Sequence, residues 1–164
     1  KLFFFDGSGF SLTSNVPYAW QEAAKRIEIP TSRSKSINVL GFLSRKGDFY
    51  SYICEDTVNT DVIIAVFNEF AKNITSETHV YIDNAPIHRS KRFEEEIDIL
   101  KKKNVHVHFL TTYSPHLNLI EILWRFMKYS WLPLSSFLSF KNLKKNLLKL
   151  LIDIEDGEHQ INFV

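Results

Sequence analysis

Three carboxylates sit at positions where chemistry could use them. Asp83 follows the strand-favouring run Val80-Tyr81-Ile82 in the stretch VYIDNAPIHRSKRF, with Asn84, Pro86 and His88 close behind. Asp6 follows the apolar residues 2–5, and Glu121 falls in LNLIEILW. Each has an ordinary explanation when read alone. Asp83-Asn84 and Asp6-Gly7 are turn dipeptides, and Pro86 cannot continue a ladder. Asn118 and Glu121 have the spacing of a capping box, and Arg125 stands at i+4 from Glu121, the spacing of a surface ion pair. Brought together, however, the three acids would raise one another's pKa and resist ionisation. A divalent cation removes that penalty, and carboxylate oxygens are hard ligands suited to Mg2+ or Mn2+. Two such ions roughly 3.5–4 Å apart activate the attacking oxygen and stabilise the leaving oxygen of a phosphoryl transfer.

The elements that would position these acids can be read from pattern. Residues 2–5 form a first strand that ends at Asp6-Gly7. Residues 37–44 and 49–54 form two more, joined by Arg45-Lys46-Gly47-Asp48 as a hairpin. Thr60 is expected to cap a helix to about residue 73, with Val62, Val66, Phe67 and Phe70 as its apolar stripe. A strand over 79–82 ends at Asp83. Ser90 opens a charged helix to about Lys103 that buries Phe93, Ile97 and Leu100, and a fifth strand covers 105–110. The loop TTYSPH leads into a helix from Asn118 with Ile120, Leu123, Trp124, Met127 and Trp131 on one side. A last helix near 141–154 carries Leu143, Leu147, Leu150, Leu151 and Ile154; its stripe suits either the sheet or another protomer. Residues 10–35 read as irregular, with AWQEAAKRI as a short helix or loop. Strands alternating with helices imply parallel crossovers, hence an α/β fold: a mixed five-stranded sheet flanked by helices. Sites in such sheets gather at the carboxyl ends of strands. Asp6 and Asp83 become neighbours there if the first and fourth strands are adjacent.

Composition bounds the alternatives. The 164 residues suffice for a single domain with a substantial core, and 45% hydrophobic content with fourteen Phe and three Trp suggests a ring-rich one. The net charge of +1 does not by itself announce a nucleic-acid binder, although basic residues cluster at His88 to Arg92, Lys101 to Lys103 and Lys141 to Lys145. One cysteine, Cys54, excludes an intrachain disulfide and leaves no cysteine-based zinc site; a reducing compartment fits. No apolar run is long enough to span a membrane, and no signal peptide is evident. The chain lacks an initiator Met and opens in mid-strand, so it reads as a piece of something longer.

The motifs IDNAPIH and YSPHLNLIEILW resemble the second- and third-acid motifs of DDE transposase catalytic domains of the mariner-like superfamily, which includes bacterial insertion-sequence transposases. FFFDGSGF is similar to the first-acid strand, and Trp20 sits where the family often has an aromatic. His116 and Leu119 depart from the family's usual Asp and Pro, and Gly7 stands where many relatives carry Glu. The resemblance implies a ribonuclease H-like fold over residues 1–164, with the family's N-terminal helix-turn-helix region absent. It implies Asp6, Asp83 and Glu121 as catalytic acids holding two Mg2+ (or Mn2+). Asn84, His88 and Asn118 would be supporting residues that orient the acids or touch DNA. Double-stranded DNA as substrate, a homodimer in the full-length form, and a cytoplasmic, nucleoid-associated setting in a prokaryote are expected on the same basis. A nuclease of the same fold that does not join DNA, and a decayed or domesticated transposase acting as a non-catalytic DNA-binding module, are the rival readings.

Among the remaining residues, His106 and His108 alternate on a strand and face one way, as satisfied sheet histidines would. Asp48, Glu55, Asp56 and Asp61 read as hairpin and cap acids. Asp153, Glu155, Asp156 and Glu158 read as the solvated end of the last helix.

Overall fold

The computed structural model describes residues 1–12, 35–111 and 118–159. The short helix or loop expected within 13–34, Trp20, and most of the TTYSPH loop with His116 lie outside those residues.

Strand β1 (Leu2–Phe10) pairs antiparallel with β2 (Ile37–Ser44), which pairs antiparallel with β3 (Phe49–Cys54). On its other side β1 pairs parallel with β4 (Thr78–Ile82), and β4 with β5 (Val105–Phe109). The sheet order is β3-β2-β1-β4-β5. The β2–β3 turn forms as its sequence demands. Ser44 Oγ accepts from Lys46 N and Asp48 N at 3.1 and 3.0 Å, and Gly47 takes the left-handed φ of 93°.

Helices α1 (Thr60–Lys72) and α2 (Lys91–Lys102) cover one face; α3 (Ile120–Phe126) and α4 (Phe140–Glu155) cover the other. Period-two alternation in β1 assigns the layers. Phe3 and Phe5 join Phe42, Phe67, Phe70 and Phe93 in a cluster of rings beneath α1 and α2. Phe4 and Phe10 join Trp124, Met127 and the α4 leucines on the far side. The stripe of the last helix therefore packs on this chain's own sheet, which settles the choice left open by sequence. No helix among the described residues is long and apolar enough to cross a membrane.

Several boundaries differ from the sequence reading. The first strand does not stop at Asp6-Gly7; it runs on to Phe10, paired with β2 through Phe10↔Ile37. Asn59, not Thr60, caps α1, its side chain accepting from Val62 N at 3.0 Å. Chain order did not reveal the π turn Met127–Trp131 that follows α3, or the 3₁₀ turn Leu134–Leu138 that precedes α4. Glu155 is not a solvated helix end, because its Oε1 accepts from Ser51 N and Ser51 Oγ at 3.0 and 2.7 Å. That contact occupies a backbone N–H on edge strand β3, where an open ladder invites association. The paired histidines do share a face. His108 Nε2 lies 2.9 Å from His79 Nδ1, so the two rings share a proton, and burial together with His79 and His106 holds the His108 pKa below the usual imidazole range.

Candidate active site

The β1–β4 register places the first two acids. Phe4 stands opposite Tyr81 in the parallel pair. The same offset carried two residues on sets Asp6 level with Asp83. Asp83 has just left β4, while Asp6 is still inside β1, paired with Gly41 of β2. The cleft therefore opens where β4 ends and β1 continues, which modifies the expectation that both acids terminate strands. Asp6 lies on the same side of β1 as Phe4 and Phe10, the side covered by α3.

Glu121 comes in on the first turn of α3, and the expected capping box is not what holds it. The N-cap position carries no side-chain cap. Asn118, 2% exposed, instead sends its Nδ2 across to the carbonyl of Phe5 at 3.3 Å. This long-range bond fixes the start of α3, and with it the turn that carries Glu121, against the strand residue just before Asp6. Asn118 Oδ1 is buried and has no protein partner. At Gly41, directly across from Asp6, an added Cβ would come within 2.9 Å of Trp124 and 3.0 Å of Ile120, so the missing side chain is what lets α3 lie close. Gly41→Ala is expected to destabilise the domain by about 1–3 kcal/mol through overpacking. Chemical denaturation would measure it. The same shift would move Glu121 and weaken divalent-ion binding.

Asp83 is the most tightly held of the three. One oxygen, Oδ1, accepts from Ala85 N at 3.0 Å and from the Nδ1–H of His88 at 2.6 Å. His88 is itself 4% exposed, on the 3₁₀ turn Pro86–Arg89, in edge contact with Phe5. The histidine bond is the main reason the Asp83 pKa lies below the usual carboxylate range. Asp6 behaves in the opposite way. Burial pushes its pKa up to about 7; the Gly7 amide pulls the other way, and the charges of Asp83 and Glu121 add smaller pushes, with a still smaller pull from His88. Glu121 is also raised, by burial and by Asp83. Asp6 thus feels the charge of both other acids, and Glu121 that of Asp83.

Asn84, the neighbour of Asp83, faces away from the acids. Its Nδ2 donates to the carbonyl of Leu110, and its Oδ1 accepts from Arg89 Nε at 2.9 Å and from the second Arg89 nitrogen. Of the supporting residues expected from sequence, His88 bonds Asp83 directly, Asn118 ties the start of α3 to β1, and Asn84 braces the neighbouring strand end. Lys128 was missed. It is half-buried on the π turn, seven residues after Glu121, with its ammonium 5.3 Å from the Phe10 ring centroid and Asp6 as its electrostatic partner. The i+7 spacing from Glu121 was the available signal. The basic clusters are largely committed elsewhere: Arg92 pairs with Asp61, Lys144 with Glu55, and Lys103 Nζ donates to Asn68 at 2.5 Å.

The donor set suits a hard divalent cation in kind. The raised Asp6 pKa reflects burial first and like charge second, and such an ion would offset both. Among the described residues, no three His, Cys, Asp or Glu side chains are already drawn into a cluster able to hold an ion. Asp6 and Asp83 line one cavity, which His88 also lines.

A mixed five-stranded sheet in this order, with helices on both faces, is a ribonuclease H-like fold. The sequence profile described as DDE superfamily endonuclease matches residues 1–144, and the chain belongs to that family. No curated protein sequence matches it. Among solved structures, the Mos1 mariner paired-end complex with Mn is similar at 14% identity and TM-score 0.64, over 98% of this chain and 52% of that one. The catalytic domain of Mos1 mariner transposase is similar at 15% identity and TM-score 0.59, over 94% of this chain and 72% of that one. A simian T-cell lymphotropic virus intasome chain, in complex with a phosphatase regulatory subunit, matches at 10% identity and TM-score 0.59, over 93% of this chain and 46% of that one. These likenesses are of fold. The chain spans about half the length of the Mos1 transposase chain in its paired-end complex.

Proposed function

We propose that this domain is the catalytic core of a transposase, cutting double-stranded DNA and joining the freed end to a target in reactions that depend on divalent cations. The observation that carries the reading is the juxtaposition of Asp6 and Asp83 on adjacent parallel strands, with Glu121 electrostatically coupled to both. Asp6, Asp83 and Glu121 would hold the cations, two of them on this reading. Bound there, the cations supply charge neutralisation and Lewis-acid activation of the attacking and leaving oxygens.

The chain's own residues do the rest. His88 holds Asp83 ionised and in one orientation by donating its Nδ1–H, a task that also fixes the histidine's tautomer. Asn118 fixes the level at which Glu121 enters, through the Phe5 carbonyl. Lys128 adds a positive charge beside Asp6 that suits a phosphate of the DNA backbone. The acids act as ligands and need not exchange protons with substrate. Pairing two DNA ends would call for two copies of the full-length protein, which supports a homodimer.

The experiment is a combined cleavage and joining assay on the full-length protein, with end-labelled duplex DNA, a target plasmid, and Mg2+ or Mn2+. Labelled ends joined to the plasmid are the expected product. Cleavage without joining would assign the domain to hydrolytic nucleases of the same fold. DNA binding with neither reaction would assign it to non-catalytic modules.

A further inference from the structure

Both ends of the chain segment between β5 and α3 are held by an asparagine amide donating to a backbone carbonyl of the sheet region. At the far end Asn118 Nδ2 reaches Phe5 O at 3.3 Å. At the near end Asn84 Nδ2 reaches Leu110 O, while Leu110 N donates to Ile82 O at 2.8 Å, so Leu110 is fixed through both of its backbone polar groups. Asn118 is buried and needs no further support. Asn84 is more open, and its amide is oriented by Arg89. The guanidinium gives both Nε and a terminal nitrogen to Asn84 Oδ1, and its central carbon sits over the Phe109 ring, 3.6 Å from the centroid. A side-chain amide can rotate by half a turn. With Oδ1 claimed by two guanidinium N–H groups, only Nδ2 is left to face Leu110.

We infer that Arg89 is a positioning residue for this site, acting through Asn84 to fix the exit of β5 and hence the point from which the chain runs to the helix bearing Glu121. The 3₁₀ turn Pro86–Arg89 then serves two acids with two consecutive side chains. His88 holds Asp83 directly, and Arg89 holds the strand end that leads to Glu121. Among the described residues the guanidinium is paired with no acid: Nε and one terminal nitrogen go to a single amide oxygen and its carbon sits over one ring, an arrangement that fits bracing. The inference rests on reading Asp83 and Glu121 as one metal site.

The test uses Arg89→Met, which keeps the stem, and Arg89→Lys, which keeps the charge and loses the fork. Hydrogen–deuterium exchange of the full-length protein is read over residues 105–111 and 120–124, with α1 as internal reference, and Mn2+ binding is read by calorimetry. Both variants are expected to speed exchange in the two segments about tenfold and leave α1 unchanged. Both are expected to weaken Mn2+ binding by roughly 10-fold, the lower end of what loss of an outer-shell partner costs a metal site. Exchange that stays at the wild-type rate, or changes only within 86–90, would overturn the inference. So would full recovery by lysine together with a methionine variant that loses about one unit of salt slope in DNA binding, since that is the signature of a phosphate contact. Should wild-type protein bind no Mn2+, the metal reading fails, and the exchange data still decide whether Arg89 braces β5.

Discussion

Asp6→Asn is expected to make the metal-free domain more stable at pH 8 while removing the DNA cleavage proposed for it. The wild-type carboxylate is raised from 3.8 to about 7, chiefly by burial and then by its two acidic neighbours. A raised acid pKa means the folded state holds the proton more tightly than the unfolded chain does. The stabilising contribution is complete below the unfolded value and is lost as pH rises through about 7. Above that pH the fold carries a buried charge. At about 1.4 kcal/mol per unit, the relief on replacing it with a neutral isostere is on the order of 3–4 kcal/mol. Urea unfolding of both proteins at pH 5 and pH 8 measures this, with the gap between them widening toward pH 8. The same titration governs ion uptake. Protons compete with cations for Asp6, so apparent Mn2+ affinity in the wild type rises with pH and levels off above about 7. Equal stabilities at both pH values would refute the assignment of Asp6 as a strained, buried acid.

Asp83→Ala is expected to cut the cleavage rate by at least about 10³-fold, because on the proposed reading it removes a cation ligand that, with its pKa already lowered, stays ionised throughout the neutral range. His88→Ala should cost less, roughly 10–100-fold, as loss of an outer-shell partner does. His88→Asn should recover part of that loss, since its amide can donate to Asp83 from a similar position. Single-turnover cleavage with saturating DNA separates these effects from changes in binding. If His88→Ala loses as much as Asp83→Ala, the histidine does more than orient. If Asp83→Ala cuts normally, the acid is not part of the machinery.

The architecture was legible because its cues are local and periodic. The β2–β3 hairpin has Gly47 where the turn needs a left-handed residue, and the Leu143/Leu147/Leu150/Leu151/Ile154 stripe has one buried face. The order of alternating strands and helices then dictated parallel crossovers. What was misread lay where long-range pairing overrode local preference. Asp6-Gly7 has turn chemistry, yet β2 supplies a full ladder partner through Phe10, so the strand continues. Asn118 and Glu121 have capping-box spacing, yet the Phe5 carbonyl, 113 residues back in sequence, takes the asparagine amide. The site followed the same division. Residue types and the motifs IDNAPIH and YSPHLNLIEILW singled out Asp83 and Glu121 as candidate acids. Gly41, Lys128 and Arg89 gained their importance only from where the sheet and the π turn put them. Glu155 looked like one more exposed acid because nothing local to it shows that β3 passes alongside.

The central claim is that Asp6, Asp83 and Glu121 hold divalent cations jointly. The most direct measurement is anomalous diffraction at the manganese edge from crystals of the domain grown with Mn2+ at pH 8. The account predicts a manganese peak in the cleft between β1, β4 and α3, with carboxylate oxygens from Asp6 and Asp83 at about 2.0–2.3 Å and Glu121 drawn in to complete the set. A peak bound elsewhere, or a cleft in which the three carboxylates keep apart with no manganese between them at saturating Mn2+, would contradict it.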